Sequence, residues 1–179
     1  TSVTAGAPAA CMLCGGGEFH TLTPSRIFDS RPANANHPDT PINDVSPLGA
    51  KPLSVSDPTF DIQLLGLGAV PAEATDVLAV AISITIIDPT QNGNLGVYPK
   101  GSPSNSSVLN FRAGQTVPNM AIVRAGTDGK LTVRLHGVGT GTAHVLVDVF
   151  GWFSTSAYTA GTPALYEDER GARLVPITP

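Results

Sequence analysis

The chain is predicted to fold as an all-β protein, an antiparallel β-sandwich of jelly-roll type, as a single domain with extended arms at both ends. Three observations carry that expectation. Charged residues are only 13% of the 179, too few to furnish exposed helical faces, which need Glu, Lys, Arg and Gln. The 19 glycines and 16 prolines punctuate the chain into short pieces. Within those pieces apolar residues recur with a period of two, and turn signals return roughly every 8–12 residues, as in sandwiches and jelly rolls. A hydrophobic content of 41% over this length is enough for one sizeable core and asks for no second one.

Taken in order, residues 1–17 are rich in Ala, Gly, Thr, Ser and Pro and end in Gly15-Gly16-Gly17, the composition of a flexible arm. The folded module is expected over 18–156. Arg31 to Asp57 contains Pro32, Pro38, Pro41, Pro47 and Pro52, so it reads as a long irregular excursion. Phe60, Ile62 and Leu64 then alternate with Asp61 and Gln63. Pro71 to Thr75 suggests one helical turn leading into Val77 to Ile87, which is apolar on both parities and reads as a central strand covered on both faces.

Further strands are expected at Asn94 to Tyr98, Val108 to Arg112, Pro118 to Arg124, Lys130 to His136 and Thr142 to Phe153. They are divided by turns at Asp88 to Gly93, Pro99 to Ser104, Gly126 to Gly129 and Gly137 to Gly141. Leu131, Val133 and Leu135 alternate with Thr132, Arg134 and His136, which gives that strand one wet face. The predicted core is Leu78, Val80, Ile82, Ile84, Ile86, Leu131, Val133, Leu135, Val145, Val147 and Val149. Residues 157–179 form a linker and an extended segment. Their close, ARLVPITP, echoes the Thr-Pro phrase EFHTLTP at the front of the module, about one domain length earlier, and suggests a unit of a tandem array.

The composition excludes several functions. A formal net charge of −4 with ten scattered basic residues leaves no footprint for nucleic acid or anionic lipid. No window approaches the roughly 18 consecutive apolar residues of a membrane span. The N-terminus lacks the basic and apolar regions of a signal peptide, which leaves open a signal already removed or an internal piece. Low charge with abundant Thr, Ser, Gly and Pro points to an exported protein, extracellular or at the cell surface. Neither GxSxG nor HExxH occurs, and His144 and Asp148 stand about 13 Å apart along an ideal strand. No enzyme activity, cofactor or metal is therefore expected.

Five groups of residues remain as candidate sites. Arg26, Asp29 and Arg31 share an extended segment in which regular alternation keeps Asp29 from facing both arginines. They read as structural ion pairs, with Asp29 bridging to an arginine of another strand and pinning the segment to the sheet. Cys11 and Cys14 form a CxxC followed by glycines, without a helix to activate a thiol or paired ligands to complete a zinc site, so a disulfide is expected, within the pair or to a neighbouring subunit. Tyr98, Trp152, Tyr158 and Tyr166 are the candidate exposed aromatics, Tyr98 and Trp152 being the pair that would stack on a sugar, although Trp152 and Phe153, ending an apolar strand, read more readily as core or edge packing. Asn105-Ser106-Ser107 is a glycosylation sequon. Leu174, Val175 and Ile177 are apolar, follow the charged run Glu167 to Arg170, and read as a strand that docks on another copy or a following repeat.

In the order TPSRIFDSRP, VPAEATDVLAVAISIT, GNLGVYPKG, SSVLNFRAGQTVPNMAIV and HVLVDVFGWF, the chain resembles a β-rich module of exported and cell-surface proteins of actinobacteria and related bacteria. In that module a phrase like TPxRxxDTR opens the unit and one like VDVxGYF closes it. Here Ser30 and Trp152 replace the usual Thr and Tyr, and the Pro-rich excursion and the CMLC arm are additions. The resemblance implies an extracellular module, often in tandem or appended to secreted hydrolases, and carries no catalytic residues. Two functions follow as expectations. One is a non-catalytic structural module that assembles with neighbouring copies or repeats into a layer, fibre or stalk. The other is a carbohydrate-binding module on a secreted enzyme, with a cell-surface polysaccharide as partner.

Overall fold

A computed structural model of the chain describes residues 17–36, 52–137, 141–156 and 158. Nine strands lie in these residues: β1 (Phe19–Asp29), β2 (Leu53–Ser54), β3 (Thr59–Gln63), β4 (Val77–Ile87), β5 (Gly93–Pro99), β6 (Leu109–Phe111), β7 (Val117–Val123), β8 (Lys130–Gly137) and β9 (Thr142–Ser154). One sheet has the order β1-β9-β4-β7, with the short β2 also paired to β9, and the other has the order β3-β8-β5-β6. Every pairing is antiparallel. Leaving β2 aside and counting the eight longer strands in chain order, the sheets read 1-8-3-6 and 2-7-4-5, the strand order of a jelly roll.

The strands expected between Phe60 and Phe153 are all present, each within a residue or two of the limits that alternation sets. β2 was not foreseen. Leu53 sits inside the Pro-rich excursion, pairs with Ala143 and is fully buried. The helical turn suggested at Pro71 to Thr75 is a hydrogen-bonded turn over Glu73 to Asp76, with the Asp76 amide donating to the Glu73 carbonyl at 3.0 Å, and no helix. Among the described residues no helix is long and apolar enough to cross a membrane.

The core lies between the sheets. From the first sheet, Ile82, Ile84 and Ile86 stand directly beside Val149, Val147 and Val145. From the second, Phe60, Val133 and Val97 form one row, and Leu135 and Leu95 another. All but two of these side chains are almost completely shielded from water, Val97 and Leu135 being slightly less so. Leu78 departs from the predicted core and is 42% exposed. A bulge between Val77 and Ala79 inserts it as an extra residue opposite β9, so the inward alternation restarts at Val80. The opposite parity of β4 carries Ala79, Ala81, Ser83 and Thr85, of which Ala81 is buried and the others only half-buried. That side is therefore partly covered, not covered on both faces as the sequence suggested.

Gly151 marks the tightest packing on the outer face of the first sheet. A Cβ there would collide with the ring of Phe19 and with the His20 carbonyl. Phe19 in turn lies 4.9 Å, centre to centre, from Phe153. The aromatic ring covers backbone that a side chain would otherwise occupy.

Candidate functional site

The end of β1 is pinned by the network around Asp29. Its carboxylate, fully buried, accepts from the backbone amide and Nε of Arg31, both at 3.0 Å, from Nη2 of Arg31 at 2.7 Å, and from Nη1 of Arg26 at 3.5 Å. Arg26 also grips Asp148 of β9 with Nε at 2.8 Å and Nη2 at 3.1 Å. That hydrogen bond, with the attraction of both carboxylates, outweighs the cost of burial and raises the guanidinium's pKa. The structure thus brings Arg26, Asp29 and Arg31 together, but not as alternation implied. The partners of Asp29 are the arginines of its own segment, not one from another strand. A bulge between Arg26 and Phe28 lets Ile27 and Phe28 both point inward and returns Asp29 to the face of Arg26.

The next residue continues the anchor. Ser30 Oγ accepts the Val145 amide at 2.9 Å and lies 3.1 Å from His144 Nδ1, which is also 3.0 Å from the Ser30 carbonyl. A serine and a histidine at this distance match a nucleophile and its base, yet Ser30 is 1% exposed and its oxygen is engaged by the backbone. Asp148 is held by Arg26, so His144 and Asp148 each keep a separate partner. The arrangement ties β1 to β9.

At the other end of β9, Trp152 stacks on His20 with ring centres 4.3 Å apart and planes 15° apart, and Tyr158 meets Trp152 edge-on at 4.8 Å. Trp152 is 4% exposed and Tyr98 7%. The candidacy of Tyr98 as an exposed ring is therefore corrected, and Trp152 takes the core position that its place at the end of an apolar strand suggested. Trp152 closes the end of the sandwich, and Tyr98 shares with Thr132 the row above the Asp61–Thr132 hydrogen bond. Neither can act as a sugar platform. Asn105 is exposed in the loop between β5 and β6. Cys11, Cys14, Tyr166, Leu174, Val175 and Ile177 lie outside the described residues.

Two surface features were not among the candidate sites read from the sequence. The first is β7, an edge strand on which Pro118, Met120 and Ile122 point outward in succession, Met120 at 60% and Ile122 at 59% exposure. Its free edge is blunted against added strands, since Pro118 has no amide hydrogen and the Met120 amide donates to Asn119 Oδ1 at 2.9 Å. Contact there must run through side chains.

The second is an open groove of about 640 Å³ at the end of the second sheet, lined by Val55, Pro58, Asn92, Asn94, Arg134 and His136 among others. Asn94 and His136 are direct cross-strand partners, and Arg134 lies two residues along the same face. Gly96 makes room for the imidazole: a Cβ there would be 3.1 Å from His136 Nε2 and 2.9 Å from the Ser106 carbonyl. Arg134 Nε and His136 Nε2 are shielded from solvent and have no hydrogen-bond partner among the described residues. Desolvation, and then the charge of Arg134, lower the pKa of His136 below the ordinary histidine value.

That lowering has a measurable sign. Between the two pKa values the unfolded chain binds a proton that the folded chain refuses, so stability falls as pH drops below about 6.5, the ordinary histidine value. An NMR titration is expected to show His136 titrating below that value, and a His136→Asn variant is expected to lose this part of the acid sensitivity. A His136 midpoint at or above the ordinary value would contradict the packing described here.

No protein-family model matches the chain, and no match emerges among curated proteins.

Proposed function

We propose that the protein is a non-catalytic structural module of an extracellular or cell-surface assembly, joined to neighbouring copies or repeats through its C-terminal segment. The observation that carries this reading is the exposed apolar row Pro118, Met120 and Ile122 on β7. Beside a core whose inward residues are almost completely buried, such a row gains free energy only when another surface covers it. The resemblance to tandem modules of exported proteins agrees with it. So does the apolar segment Leu174, Val175 and Ile177, set apart by charged residues.

Sedimentation velocity on the full chain and on a chain lacking 166–179 tests the reading. The full chain is expected to self-associate, and the shortened one to sediment as a folded monomer with an unchanged melting midpoint. An unchanged oligomer size after the deletion would remove the C-terminal segment from the contact. Sugar stacking by Tyr98 and Trp152 finds no support, because both rings are buried.

A further inference from the structure

The groove beside β5 and β8 presents the guanidinium of Arg134, the imidazole of His136 and the amide of Asn94 on one face, and no acidic residue is found in its lining among the described residues. Arg134 Nε has no hydrogen-bond partner among the described residues. An arginine lining a groove, with an amide and an imidazole next to it, matches a carboxylate, which accepts two hydrogen bonds from one guanidinium. Val55, 49% exposed at the rim, and Pro58 add an apolar wall suited to the aliphatic part of a peptide.

The chain itself contains a complementary segment. Glu167, Asp168 and Glu169 are three consecutive acids, placed a few residues before Leu174 and Val175. The fold decides whose groove they can reach. Tyr158 packs against Trp152, near the end of β9, while the groove lies at the opposite end of the sandwich, where β8 finishes and β9 begins. From Trp152 back to Thr142 is about 33 Å along the strand, and the second sheet lies about 10 Å further across. The ten residues from Tyr158 to Asp168 span at most about 36 Å when fully extended. A protomer's acidic run meets its own groove only with every intervening residue stretched taut, an ordering that the groove of another copy does not demand.

We infer that the groove of Arg134, His136 and Asn94 receives the acidic run Glu167 to Glu169 of a neighbouring copy, a contact that rests on the assembly reading above and names its receptor. Charge reversal on the full chain tests it, with sedimentation velocity over a concentration series at low and high salt. Arg134→Glu alone, and Glu167→Lys with Asp168→Lys and Glu169→Lys, are each expected to weaken self-association about tenfold or more. The combined variant is expected to recover most of it, and high salt to weaken the wild type.

A wild type that stays monomeric at every concentration would overturn the assembly reading and this contact with it. Wild-type association that both reversals leave intact would overturn the groove alone. Association lost in Arg134→Glu but untouched by the tail reversal would overturn the acidic run as occupant. The same holds if Arg134→Glu abolishes binding of polygalacturonate while oligomer size stays constant, which would assign the groove to an acidic polysaccharide. If Arg134→Glu fails to fold, the tail reversal, outside the described residues, decides with Arg134→Gln: weakened association in both upholds the contact, and unchanged association in either overturns it.

Discussion

Asp29→Ala is expected to destabilise the fold by about 3–5 kcal/mol, because it removes the acid that, among the described residues, balances a largely buried Arg31 guanidinium. The loss is a large fraction of the roughly 5–15 kcal/mol that holds a domain of this kind together. Arg26 keeps its grip on Asp148, so the damage centres on Arg31 and on the turn where β1 leaves the sheet. Asp29→Asn retains an acceptor for the Arg31 amide and should lose less. Urea denaturation of the three proteins measures the ordering. A loss below about 1 kcal/mol for the alanine variant would mean that the network is ornamental to stability.

Ile84→Ala is expected to cost about 2–4 kcal/mol, from lost burial and from the cavity left behind. Ile84 is fully buried at the middle of β4 and pairs with Val147, inside a layer that both sheets fill. Neighbours on two strands hold the backbone in register, so collapse around the gap is limited. The same denaturation experiment reads this value, and a loss below half a kcal/mol would place the side chain at the surface and break the register.

The two predictions differ in what made them possible. Ile84 could be named from the chain alone: alternation in Val80, Ile82, Ile84 and Ile86 specifies an inward face, and a slip of one residue would turn every one of them to water. Asp29 could be named as a structural acid, but its partners could not. The bulge at Ile27 has no mark in the sequence, because its two buried residues in a row read equally well as a strand covered on both sides. Leu78 failed for a related reason. It obeys the apolar pattern, and only the inserted residue opposite β9 turns it outward.

The groove was half legible. The wet face of β8 placed Arg134 and His136 together on one side of a strand, but nothing in the chain says that Asn94 is the cross-strand partner of His136. Nor does it say that Gly96 leaves room for the ring, since such contacts join residues some 40 positions apart. Tyr98 shows the opposite error, and Trp152 an ambiguity. An aromatic at the end of an apolar strand has no fixed exposure until the neighbouring elements are placed, and here His20 and Tyr158 cover Trp152.

Composition, turn spacing and the period of two determined by themselves that this chain is a β-sandwich, which longer strands build it and, bulges aside, which faces turn inward, because those properties depend on local backbone preference and on burial averaged over a strand. The tertiary structure decided which strands are neighbours, where bulges shift the alternation, and which charges meet. Those depend on pairings between distant segments, each settled by packing against the whole sheet and none by the residues beside it in the chain.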